Sequence, residues 1–362
     1  MRALDEIWYG RSATARATRA ALAPASWLYR AGLYAHTRKF RDGLGVQAAP
    51  LPALSIGNLT VGGTGKTPVA AWAAGVLRSR GARPAIVMRG YGDDEPLVHE
   101  RLNPGVAVVV DPDRVAGARR AKSGGADCVI LDDAFQHRRI ARTSDWVLIS
   151  ADRWSSDLRL LPAGPLREPV DGLSRADILV VTRKNASLDS AESIGERLMA
   201  RFPNLGLAVC HLAPSGLRDA TSDATVPMSW LSGRRLLATA AVGDPDAFFA
   251  QLRAHGAELR MRPFGDHHAF TARDVSELTR LADGLEGIVC TLKDAVKLGP
   301  LWPASASPLW YLSQIAVIER GSPPLDRALD AVLAARQATS STAGPAGQSS
   351  LKNGHRSSIA DR

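Results

Sequence analysis

The 362-residue sequence predicts an α/β protein built from two α/β domains. Three observations carry that expectation. Short apolar runs alternate with stretches of helical period, the pattern of a parallel sheet covered on both faces. The first of these runs leads straight into a glycine-rich turn and then a helix. A Pro/Gly-rich connection at residues 160–175 then separates two such strand–helix series.

The first segment, residues 1–50, is basic and aromatic: Trp8, Tyr9, Trp27, Tyr29 and Tyr34 lie among Arg11, Arg16, Arg19, Arg30, Arg38, Lys39 and Arg41. Leu22, Trp27, Leu28, Ala31 and Ala35 recur at helical spacing, and Pro24 is expected to break the segment into two helices. A basic amphipathic helix carrying Trp and Tyr suits the headgroup layer of an anionic membrane. A helix packed on the protein body with a solvated Arg face reads equally well.

Residues 51–165 form the first domain. A buried strand at 53–56 precedes a loop from Gly57 to Gly65 and a helix from Lys66 to Arg80. Strands follow at Pro84–Met88, Val106–Val110, Cys128–Leu131 and Trp146–Ile149, with a helix at Arg114–Lys122. Residues 166–335 form the second domain. Its strands are expected at Ile178–Val181, Leu207–His211, Leu236–Ala241, Gly287–Leu292 and Leu309–Leu312, with helices near Asp189–Arg201 and Pro245–His255. Residues 336–362 are rich in Ser, Gly, Ala and Thr without apolar period, and a disordered tail is expected there.

Composition bounds the partners. A hydrophobic share of 45% with 22% charged residues excludes wholesale disorder. The net charge of +9 calls for an anionic partner, and residues 1–50 hold eight Lys/Arg against three acids. Zinc-finger spacing and an aromatic-rich basic sheet motif are both missing, so no nucleic acid is expected. Cys128, Cys210 and Cys290 sit far apart in apolar runs and read as core thiols of a reducing compartment. With no apolar leader core and no run of 18 apolar residues, neither a signal peptide nor a transmembrane span is expected.

Thr60-Val61-Gly62-Gly63-Thr64-Gly65-Lys66-Thr67 ends like a P-loop, which makes the first domain P-loop NTPase-like. Glycines let backbone N–H groups curl around a phosphate, Lys66 would pair with β/γ oxygens, and the Thr67 hydroxyl would bind Mg²⁺. Thr60 stands where the strict pattern wants Gly. A second acidic element is expected at the end of another buried strand, and Val129-Ile130-Leu131-Asp132-Asp133 fits. Two adjacent acids leave open which one reaches the metal. At the place of a GTPase base reader stands Val181-Thr182-Arg183-Lys184-Asn185, which counts against GTP. These elements establish nucleotide binding; a non-kinase P-loop ATPase acting at a membrane remains open.

The stretch from Gly57 to Pro68 closely resembles the P-loop of the tetraacyldisaccharide 4′-kinases, the lipid A 4′-kinases of Gram-negative bacteria. The resemblance continues in order through Arg89-Gly90-Tyr91-Gly92, Asp94-Glu95-Pro96-Leu97, Asp113-Arg114, Leu131 to Arg138 and Leu161 to Pro169. It resumes at Gly243-Asp244-Pro245, Phe264-Gly265-Asp266-His267-His268 and Thr291 to Lys297, covering about residues 20 to 315. The resemblance implies ATP-dependent phosphorylation, with Mg²⁺, of the 4′-hydroxyl of a diglucosamine lipid bearing a 1-phosphate. It places that reaction at the cytoplasmic face of the bacterial inner membrane, with no obligate protein partner. Two α/β/α domains with the active site between them are implied, together with a membrane-docking N-terminal helix.

Carried over residue by residue, the family's catalytic pair is Asp94 and His267. A sugar hydroxyl is a weak nucleophile at neutral pH, and a carboxylate positioned by an imidazole can accept its proton. Read alone, Asp94 beside Asp93 is a loop acid. Gln136, His137, Arg167 and Glu168 are implied to line the same cleft, with Arg167 suited to bidentate phosphate contact. Lys293 and Asp294 read as pinning a strand end. Two departures from the family pattern stand out: Gly92 and Asp93 lead straight into Asp94 where a longer segment is usual, and Ala134 replaces a Gly. The shortening puts the alignment of Asp94 in doubt, with Asp93 as its possible substitute.

Overall fold

The computed structural model describes residues 2–40, 43–90, 94–222, 224–243 and 245–341. Asp93 and the tail beyond Ser341 lie outside the described residues.

Two helices, α1 (Arg2–Tyr9) and α2 (Ala13–Arg38), precede strand β1 (Ala53–Asn58) and α3 (Lys66–Ser79). Next come β2 (Pro84–Met88), α4 (Asp94–Leu102), β3 (Ala107–Val110), α5 (Arg114–Ser123), β4 (Cys128–Asp132) and β5 (Ser144–Ser150). The chain continues through β6 (Ile178–Arg183), α6 (Leu188–Arg201), β7 (Gly206–Asp219), β8 (Thr225–Val226) and β9 (Arg235–Ala240). It ends with α7 (Pro245–Ala254), β10 (Glu258–Pro263), α8 (Ala272–Leu281), β11 (Ile288–Thr291), α9 (Leu292–Leu298), β12 (Leu309–Arg320) and α10 (Ser322–Ser341).

Among the described residues twelve strands join one sheet in the order β3-β2-β4-β1-β5-β6-β7-β12-β11-β9-β10, with β8 on β7. Each of the two flanks is parallel, and β7 and β12 run antiparallel between them. The hydrogen-bonded layer crosses residue 165 without a break, because β6 pairs in register with β5. The seam between the parallel flanks is the long β7–β12 pair.

Side-chain alternation divides the core. Leu54, Ile56, Ile130, Leu148 and Val180 face α3 and α10, whereas Val129, Leu131, Val147, Ile149 and Val181 face α5 or α6. On the second flank Leu236 and Ala238 face α7, while Leu237 and Ile288 face α8 and α9. Helices therefore cover both faces of both flanks, which is why the strands read as unbroken apolar runs. The three cysteines are buried and free of disulfides.

Several expectations change. Helix α2 runs through Pro24 without breaking. One lost backbone bond is tolerated inside an Ala-rich segment that the protein body holds at Ser26 and Tyr29, and Ser12 caps its start by accepting from Ala15 N–H at 3.1 Å. The C-terminal helix α10 continues to Ser341, past the expected start of the tail at 336. Asp94 begins a helix rather than lying in a loop. Strand β10 (Glu-Leu-Arg-Met-Arg-Pro) is absent from the sequence reading because, at the sheet edge, it carries charged side chains where apolar ones would flag a strand.

Candidate active site

Functional groups gather at the carboxyl ends of parallel strands, where open α/β sheets bind ligands. Strand β1 is buried along its whole length and hands the chain to the glycine-rich loop. Buried Asn58 donates from Nδ2 to Thr64 Oγ1 at 2.8 Å, folding the loop back onto its own strand. Val61 N–H donates to Pro165 O at 2.8 Å, and Thr182 Oγ1 donates to Thr64 O at 2.8 Å. Gly62 and Gly65 adopt φ of 104° and 83°, which side chains rarely do. A Cβ at Gly65 would strike Leu212, whereas Gly62 and Gly63 are exposed with open space beside them. Gly65 caps α3, Lys66 opens it and half-buried Thr67 follows.

Next to β1 in the sheet, β4 ends at Asp132, paired in register with Ile56. Asp132 Oδ2 lies 2.8 Å from Nε2 of fully buried His99, and its buried Oδ1 has no hydrogen-bond partner. The adjacent Asp133 leaves the strand at φ 49° and meets different partners. Arg167 donates to it twice, at 2.7 and 3.1 Å, and Lys66 Nζ lies 3.7 Å from its Oδ1. Burial would raise the Asp133 carboxyl, but Lys66 and Arg167 hold it down at about 2, so it is ionised at neutral pH. Arg167 Nη2 also donates to the Asn58 side-chain oxygen.

Glu168 is buried and turned inward. It accepts from Gln136 Nε2 at 2.9 Å, Arg138 at 3.1 Å and Arg175 at 3.2 Å, and Gln136 Nε2 also donates to Asn58 O at 2.8 Å. In this arrangement Gln136 and Glu168 brace the end of β1. Burial, with Arg114 and Arg142 nearby, pulls the His137 imidazole down to about 4 and keeps it neutral. No three or more His, Cys, Asp or Glu side chains among the described residues form a metal cage by themselves.

Asp94, the first residue of α4, is 4% exposed. His267 follows β10 in a turn with φ 56°, and its side chain is 58% exposed. Its Nδ1 lies 3.9 Å from Asp94 Oδ2, an ion-pair distance rather than a hydrogen bond. Asp133 and His267 are the two non-glycine residues with positive φ among the described residues, so backbone strain concentrates here. Burial raises the carboxyl of Glu95, against the pull of Lys293 and Lys66.

Helix α4 ties these parts together. Beyond Asp94 it carries His99 to Asp132, while Arg101 crosses to the second flank and donates to Asp219 O at 2.8 Å and Tyr311 Oη at 3.2 Å. Sequence reading missed His99 and Asn58. Two acids and a proline opening Asp94-Glu95-Pro96-Leu97-Val98-His99 are a helix-start signal that could have flagged His99.

The N-terminal helices dock beside the site. Trp8 Nε1 donates to Pro162 O at 3.0 Å, Ser26 Oγ to Leu160 O at 3.0 Å and Tyr29 Oη to Arg167 O at 2.7 Å. The side of α2 turned away exposes Trp27 (71%), Leu28 (75%) and Tyr34 next to Arg30. No described helix is long and apolar enough to cross a membrane.

Comparison with known proteins places the chain in a family. A tetraacyldisaccharide 4′-kinase of Anaeromyxobacter sp. (strain Fw109-5) is 36% identical over 378 aligned positions, covering 95% of this chain and 100% of its own length. One from Halorhodospira halophila is 38% identical, covering 81% and 87%. LpxK from Aquifex aeolicus, solved in complex with ATP, superposes with a TM-score of 0.72 at 27% identity, covering 87% of this chain and 99% of that one. A family model described as tetraacyldisaccharide-1-P 4′-kinase matches residues 18–334, and the chain belongs to that family.

Proposed function

We propose that the chain moves the γ-phosphoryl group of ATP to the 4′-hydroxyl of tetraacyldisaccharide 1-phosphate, giving the bisphosphorylated lipid A precursor. One observation carries this reading: buried Asp94 faces His267 beside a phosphate loop whose Lys66 joins the Asp133–Arg167 pair. Glu95, next to Asp94, is within electrostatic reach of both Lys66 and Asp132.

In this reading the backbone of Gly62, Gly63, Thr64 and Gly65 cradles the phosphates, and Lys66 and Arg167 meet the transferring oxygens. Asp133 holds those two cations aligned. Asp94 accepts the hydroxyl proton while the His267 imidazole orients it. The two flanks act as α/β/α domains, and a small rotation about the β7–β12 seam brings Asp94 and His267 to hydrogen-bond distance.

Asp132 fits a divalent cation better than Asp133. Its Oδ1 is buried and unpartnered, whereas both oxygens of Asp133 accept from Arg167. Thr67 and Asp132 would hold Mg²⁺, which supplies charge neutralisation on the phosphates. In this reading Glu168 and Gln136 support β1 rather than touching substrate.

The exposed Trp27, Leu28, Tyr34 and Arg30 support the reading that α2 docks on an anionic membrane surface, the cytoplasmic face of the inner membrane. Because α2 grips Leu160 and Arg167, that surface delivers the lipid next to the reacting groups. Transfer of label from [γ-³²P]ATP to tetraacyldisaccharide 1-phosphate in mixed micelles, resolved by thin-layer chromatography, tests the reading. A labelled bisphosphorylated lipid is expected; label found only as inorganic phosphate overturns it.

A further inference from the structure

The His267 turn is held from behind by α9, a helix that plays no part in the chemistry described above. Phe264, His268 and Phe270 pack against one another, with Phe264 and His268 stacked 4.7 Å apart and Phe270 edge-on to both. That packing turns the residue between them, His267, outward in its left-handed conformation. The cost of such a conformation is offset only if neighbours hold the turn at both sides.

Two α9 side chains do so. Lys297 Nζ donates to the carbonyl of His268 at 3.1 Å, the residue after His267. Fully buried Asp294 accepts from Ala241 N–H at 3.2 Å and from Thr291 Oγ1 at 2.6 Å. The carbonyl of that same Ala241 accepts from His267 N–H at 3.1 Å. One helical turn thus grips the His267 backbone through Ala241 on one side and His268 on the other. Lys297 Nζ also lies 3.9 Å from Asp294 Oδ1, which has no hydrogen-bond partner, so the two clamps are coupled.

We propose that Asp294 and Lys297 are positioning residues that hold His267 against Asp94. The proposal rests on the assignment of His267 to the reacting site. Neither residue touches substrate; they set where the imidazole stands, and a misplacement of about 1 Å can cost two orders of magnitude in rate.

Turnover and KM for ATP are measured for Lys297→Met, Lys297→Arg and Asp294→Asn, each alone and combined with His267→Ala. Lys297→Met is expected to lower kcat about tenfold with KM for ATP unchanged, and to add less than about twofold once His267 is Ala. Lys297→Arg, which keeps a donor, is expected to restore most of the loss. Equal losses in the presence and absence of His267 overturn the proposal, because they mark a general structural role. Asp294 is buried and accepts from Thr291, the N-cap of α9, so Asp294→Asn can lose the fold by itself; Lys297 reaches solvent and keeps the test decisive. Should His267→Ala keep wild-type turnover, the assignment of His267 fails on its own. The positioning claim is then judged by the backbone resonances of selectively labelled histidines: a shifted His267 signal in Lys297→Met supports it, and an unchanged one overturns it.

Discussion

Asp94 and His267 face each other at 3.9 Å from opposite flanks of one sheet, the carboxylate buried and the imidazole more than half in solvent. Chemistry that needs both is therefore sensitive to how the flanks sit about the β7–β12 seam. Asp94→Asn is expected to lower kcat by about 10²- to 10⁴-fold while ATP still binds. His267→Ala is expected to cost less, and the double variant little more than Asp94→Asn alone. Label transfer and equilibrium binding of ATP check this together; near-normal turnover in Asp94→Asn sinks the assignment.

Arg167 makes two parallel bonds to Asp133, a geometry that a lysine cannot reproduce. Arg167→Lys is expected to lower kcat about 10- to 100-fold with a small change in KM for ATP. Lys66→Ala is expected to damage both. Steady-state kinetics separates the two patterns, and a pure KM effect in Arg167→Lys contradicts the role given to it.

His99 is the partner that keeps Asp132 from being a buried, unpaired carboxylate. His99→Leu is expected to cost about 3–5 kcal/mol in urea unfolding. His99→Gln retains a donor and is expected to lose less, while raising the Mg²⁺ concentration needed for half-maximal turnover. Equal stability of the Leu and Gln variants would falsify the pairing.

His137 carries a pH dependence of stability. Its imidazole titrates at about 4 in the folded protein, below its ordinary value near 6.5, because of burial and the nearby Arg114 and Arg142. Between these values the unfolded chain binds more protons, so this contribution is full above about 6.5 and is lost as pH falls toward 4. Denaturation midpoints measured from pH 7 to 4 should fall less steeply in His137→Gln than in the parent. Parallel curves contradict the assignment.

The exposed face of α2 predicts membrane dependence. Trp27→Ser combined with Tyr34→Ser is expected to weaken binding to anionic vesicles about tenfold or more, and to raise KM for lipid but not for ATP. Vesicle co-sedimentation and kinetics read this directly. Unchanged sedimentation removes α2 as the docking surface.

Local chemistry makes much of this protein legible before any coordinates. Strands β1, β2 and β4 and helix α3 announce themselves through apolar runs and a glycine-rich turn, because burial on both faces leaves a mark along the chain itself. The order of short motifs does the same for the family. Asp132 and Asp133 show where that legibility stops: neighbours in sequence, one is held by His99 and the other by Arg167 and Lys66. A positive φ at Asp133 separates their side chains, and no periodicity reports it. The joining of both strand series into one sheet, the descent of α4 from Asp94 to His99, and the grip of α9 on the His267 turn are likewise hidden. Each depends on which strand ends the sheet order sets side by side, and pairing between distant residues leaves no trace in the period of either one.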